Sequence, residues 1–267
     1  MPRPDAACWA ILALQSAKAQ EQLIRSARRY LASVQSSDGR VCITPQHPES
    51  YWPTSLAIIA WQAAPEHREN QAKAIRFLIG DTKILTKKSP KEIAGYDTTI
   101  KGWSWMTKTY SWVEPSALGV IALRAAGYKD HHRVQDAVAL LMDRQLRDGG
   151  WNIGAPMVFG QVYRPMPDNT GMALQALCGL VPEKDVENSI RYLRSYLGRL
   201  HTPFTLGWSL LGLSSWGHGI AKRHETVLNV LRRQEEHGAF DTIPLSVLLA
   251  AYFCEHGLIY PFEQDRQ

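Results

Sequence analysis

Two acidic residues stand at matching points of a phrase that this chain repeats, and they are the side chains best placed to do chemistry. Trp112-Val113-Glu114-Pro115-Ser116-Ala117-Leu118-Gly119 returns loosely as Pro167-Asp168-Asn169-Thr170-Gly171-Met172-Ala173-Leu174. The copy at Tyr51-Trp52-Pro53-Thr54-Ser55-Leu56 has no acid, and weaker copies begin near Pro4-Asp5, His201-Thr202-Pro203 and Asp241-Thr242-Ile243-Pro244. Asp5 thus falls at the same point as Glu114 and Asp168. Each acid sits at a predicted helix start, where it can cap amides and answer the helix dipole. The chemical reading makes Asp168 a catalytic acid and Glu114 its partner. Desolvation among aromatic side chains raises a carboxyl pKa, whereas helix amides favour the ionised form. A pair sharing one proton is a further option. Two ionised carboxylates would suit a cation, a sugar or an amine.

The expected walls of the site come from the loops that lead into these helices. Tyr96 and Asp97 precede Trp103, Trp105 and Trp112. Gly149-Gly150-Trp151-Asn152 precedes Phe159, Tyr163 and Arg164. With Trp52 and Thr170 these residues are expected to bind substrate, because aromatic faces hold apolar ligands and sugars and stabilise cations. Arg164 is a candidate partner for Asp168 or for an anionic group. The bland alternative is a lid that packs on itself. No phosphate-cradling glycine loop, nucleophile elbow or His-Glu-x-x-His pattern occurs. Cys254-Glu255-His256 puts its ligands in different directions on a helix, so no metal is expected, and no cofactor.

The elements that must position these residues are helices in alternation. Segments 5–16, 51–64, 113–126, 168–180, 202–216 and 241–256 are apolar nearly all round, rich in Ala, Gly, Ser and Leu. Such helices are buried on both sides. Segments 18–36, 66–80, 131–147, 184–199 and 221–236 are longer and charged, with apolar residues on one face, as Val134, Ala137, Val138 and Leu141 show. Almost no sheet is expected. Two layers of about six inner and five to six outer helices predict an all-α fold, an α/α barrel or toroid in one domain over 1–267. If the inner helices run in one direction, the long connections 37–50, 81–112 and 148–167 gather at one rim as an aromatic lid over a central cavity.

Bulk composition bounds the partners. A net charge of +5 with 45% hydrophobic residues fits a globular protein. The basic excess permits peripheral membrane contact, and no nucleic-acid partner is expected. Lys83, Lys87, Lys88, Lys91 and Lys101 in one loop, and Arg25, Arg28 and Arg29 on one helix, are taken as solvated surface. Four cysteines without Cys-x-x-Cys spacing point to free thiols in a reducing, cytoplasmic setting.

Gln145-Leu146-Arg147-Asp148-Gly149-Gly150-Trp151 is similar to the QW motif of squalene–hopene and oxidosqualene cyclases. Gln35-Ser36-Ser37-Asp38-Gly39 and Gln234-Glu235-Glu236-His237-Gly238-Ala239-Phe240 are degenerate copies. The chain therefore resembles the terpenoid cyclase and protein prenyltransferase superfamily, especially its short bacterial repeat proteins. The resemblance implies an α/α toroid that binds an isoprenoid or similarly apolar small molecule. It implies acid-initiated chemistry at Met166-Pro167-Asp168-Asn169-Thr170, which keeps only part of the Asp-x-Asp-Asp-Thr motif of those cyclases. The Asp-x-Cys pair of prenyltransferase zinc sites is absent from the sequence. Two other readings accompany it: a noncatalytic binding or scaffold module, and a carbohydrate-processing α/α barrel.

Overall fold

Proline opens four of the apolar helices, where its fixed φ suits the first turn and its missing N–H is not needed. These are α1 (Pro4–Ser16), α3 (Pro53–Ala60), α7 (Pro167–Leu177) and α9 (Pro203–Ser215). The other two apolar helices are α5 (Val113–Ala125) and α12 (Thr242–Phe253). Between them come the amphipathic helices α2 (Glu21–Ser33), α4 (Arg68–Ile79), α6 (His132–Asp143), α8 (Glu187–Tyr196) and α10 (Arg223–Arg232), the last followed by one turn, α11 (Gln234–His237). The computed structural model describes residues 3–80, 82–88, 95–158 and 160–259. Phe159 and Lys91 therefore lie outside the described residues. The fold is all-α. Among the described residues the sheet is one hairpin, β1 (Met157–Val158) against β2 (Gln161–Val162), with Met157 opposite Val162. Among them, too, no helix is long and apolar enough to cross a membrane.

The apolar helices pack in chain order. α1 lies against α3, α3 against α5, α5 against α7, α7 against α9 and α9 against α12, and α12 also lies against α1. The amphipathic helices each pack on the apolar helix before them in sequence. Printed contacts align the C-terminal ends. Ser16 Oγ meets Cys254 Sγ at 3.2 Å, Arg124 donates to the Ala176 carbonyl at 2.9 Å, and Cys178 donates to the Ser215 carbonyl at 2.8 Å. The N-terminal ends of these helices therefore share the opposite side. Arg28, expected on a solvated surface, is buried and donates to the carbonyls of Ala60 and Gln62, closing the end of α3.

Small residues let α7 and α9 touch backbone to backbone. A Cβ on Gly171 would stand 2.2 Å from the Trp208 carbonyl oxygen. The space among the apolar helices is filled. Leu56, Ile58, Ile121, Leu174, Trp208, Leu211 and Leu248 are all 0% exposed. Trp9 of α1 and Trp208 of α9, which are not neighbours in the packing order, meet edge to face at 5.4 Å. The expectation of a ligand-sized central cavity is thus corrected: the side chains along these helices present no surface for a water, let alone a polyene. An open apolar groove of about 600 Å³ lies elsewhere, beside α1, α2 and the start of α12. Within the packed layer, residues near the helix starts keep partial exposure: Trp52, Glu114, Asp168, Phe204, Thr205 and Ile243.

Candidate functional site

A repeated hydrogen-bond device fixes each incoming loop to its helix. The Thr54 hydroxyl accepts from the Val41 N–H at 3.0 Å and donates to the Val41 carbonyl at 3.2 Å. Ser116 does the same to the Trp103 peptide, at 2.9 and 3.2 Å. Thr170 does it to the Trp151 peptide, at 3.0 and 3.3 Å. A start-to-start reading of the phrases sets Ser116 against Ser55, but these bonds set it against Thr54. The residues two places earlier are then Trp52, Glu114 and Asp168. One aromatic and two acids occupy equivalent points at the starts of three successive packed helices.

The acids at the helix starts differ in their partners. Asp5 is buried and held by Arg3, whose Nε donates to it at 3.0 Å. Asp168 is part-buried and accepts from the Asn169 N–H at 2.9 Å and from its amide nitrogen at 3.4 Å. Glu114 is part-buried and makes no hydrogen bond; it caps no amide of α5. Burial first, and the negative charge of Asp168 second, push its carboxyl from 4.5 up to about 8. Glu114 is therefore a neutral acid near pH 7. The same Asp168 charge, after burial and Tyr196, helps to raise the Tyr192 hydroxyl, which donates to the Pro165 carbonyl at 2.8 Å.

Several expected wall residues are engaged in structure. Trp103 and Trp151 are buried, and their indole N–H groups donate to the Leu78 and Leu141 carbonyls at 2.9 and 2.6 Å. Arg133 covers the Trp103 ring at 4.7 Å. The buried Asn152 side chain accepts from the N–H groups of Gly154 and Ala155 and donates to the Ala155 carbonyl. Tyr96 lies under Arg144 at 4.0 Å, and Asp97 accepts from Thr99, so both belong to the outer contact with the end of α6. Tyr163 and Arg164 are exposed, and Arg164 makes no ion pair with Asp168. Trp112 is part-buried just before α5. Trp52 and Trp105 form a part-buried edge-to-face pair at 5.5 Å.

No family model and no curated protein matches the chain. A crystal structure of a protein from Actinoplanes is similar to it over 92% of this chain and 88% of that one, with a TM-score of 0.56 and 14% identity. That likeness is one of fold.

Asn169 is the residue that sequence reasoning passed over. It is 5% exposed, and its Oδ1 has no hydrogen-bond donor. Buried polar atoms are nearly always paired, so this one stands out. Its only signal in the sequence was its place, directly after Asp168, where the cyclase motif carries an acid.

Proposed function

We propose that this chain is a terpenoid-cyclase-like or prenyltransferase-like α/α toroid that holds an apolar or isoprenoid ligand at the helix-start end, with Glu114 as its acid. The cyclic order of helix contacts and the hydroxyl-pinned loops support the toroid. The observation that carries the site is Glu114: part-buried, unbonded, protonated at neutral pH and beside the charge of Asp168. A general acid works best with a pKa near the working pH. The roles assigned from sequence are exchanged, with Glu114 the donor and Asp168 the charged partner. The filled interior limits the ligand to what the shallow end can cover, including the Trp52–Trp105 pair.

Native mass spectrometry of protein from its own host tests this. A bound isoprenoid-sized mass, lost in Trp52→Ala and in Glu114→Ala, is the expected result. Unliganded protein, or equal retention in the variants, would contradict it. The filled interior also favours a second reading, a noncatalytic binding module, because no chamber exists in which to fold a polyene. Solvent deuterium entering a carbon of the ligand marks acid-initiated turnover; ligand recovered without deuterium marks the module.

A further inference from the structure

The helix-start end gathers oxygen acceptors and no free donor. Glu114 has no hydrogen-bond partner. Asp168 accepts only from Asn169. Asn169 is nine-tenths buried with Oδ1 unpaired, and its amide nitrogen lies against Asp168, which fixes the head of this side chain at the acid. The amide orientation is set by that contact: exchanging nitrogen and oxygen would place two acceptors face to face. The nearby cations are otherwise engaged. Arg3 is held by Asp5, Arg133 by Gly102 and Asp136, and exposed Arg164 pairs with neither acid. Helix α3 contributes no charge, and Asp168 is the one charged group that acts on Glu114.

Resting on the reading of this end as the ligand site, we infer that Glu114, Asp168 and Asn169 together form a subsite for the protonated primary amine of an otherwise apolar ligand. An ammonium group brings three donors to three acceptor groups, where a hydroxyl brings one. Three oxygen-bearing side chains, one of them a neutral acid, are too few for the six to eight oxygens that calcium takes. The Trp52 and Trp105 rings suit both the alkyl chain and the cation edge. A cation here favours ionised Glu114, so binding releases a proton and strengthens as pH rises towards about 8.

Isothermal titration of the intact protein with n-octylammonium tests the inference, run in two buffers of different ionisation enthalpy, with n-octanol and octanoate as controls. The amine is expected to bind about tenfold or more tighter than the alcohol, to release close to one proton, and to tighten nearly tenfold per pH unit below neutrality. Asp168→Asn is expected to weaken it about tenfold or more, as for loss of a charged hydrogen-bond partner. Glu114→Gln, a second variant of unchanged size, is expected to abolish proton release. Octanol binding as tightly as octylammonium, without proton release, would overturn the amine subsite while leaving the ligand site standing. Failure of all three probes to bind would overturn both.

Discussion

Among the acids at the helix starts, Glu114 is distinguished by burial without a partner. The consequence for stability has a definite sign. Its carboxyl rises from 4.5 in the unfolded chain to about 8 in the folded one, so between these values the folded state keeps a proton that the unfolded state has lost. Its contribution is most favourable below 4.5 and declines as pH climbs through about 8. Glu114→Gln is therefore expected to raise the thermal midpoint more at about pH 9 than at about pH 5. Equal effects at both pH values would show an ordinary surface carboxylate. Thr170→Val keeps shape but removes both bonds to the Trp151 peptide, and is expected to cost about 1–3 kcal/mol in denaturant unfolding. The sequence marked Glu114 and Asp168 as equals. It held no sign that Arg3 neutralises Asp5, or that Glu114 would meet no amide, because both depend on side-chain direction at a helix start.

Helix alternation was legible because burial on two sides and on one side leave different apolar patterns, and both appear as expected. The QW-like turns were legible too. Gln145 donates to the Asp185 carbonyl and the Ser189 hydroxyl, tying the end of α6 to α8, and Gln35 repeats the tie to the Asn70 carbonyl in α4. Gly149 turns the chain at φ +95°, and a Cβ there would lie 2.5 Å from the Asn188 carbonyl carbon. Gly149→Ala is expected to destabilise by at least about 1 kcal/mol, measured by urea unfolding. A neutral effect would mean that the α6–α8 tie is not tight. What pattern alone misjudged was the loop aromatics. Trp103 and Trp151 look like pocket walls in sequence, but their neighbours turn them into pegs between helices. The one-residue shift of the first repeat copy was likewise hidden until the hydroxyl bonds fixed it.

At the scale of the whole molecule, apolar helices rich in small residues are compatible with a hollow centre or a solid one, and composition does not separate the two. Trp9 and Trp208 decide it by meeting across the packing order. Trp208→Ala is expected to cost about 3–5 kcal/mol, and less than additively with Trp9→Ala, since each loses the same contact. Strict additivity would place the two rings apart. A solid centre leaves chemistry to the helix-start end, and so to a protonated Glu114. The most direct test is a pH titration of the Glu114 carboxyl carbon by NMR, assigned with Glu114→Gln. The expected midpoint is near 8, moving down towards the usual carboxyl range in Asp168→Asn. A wild-type midpoint near 4.5 would contradict the account.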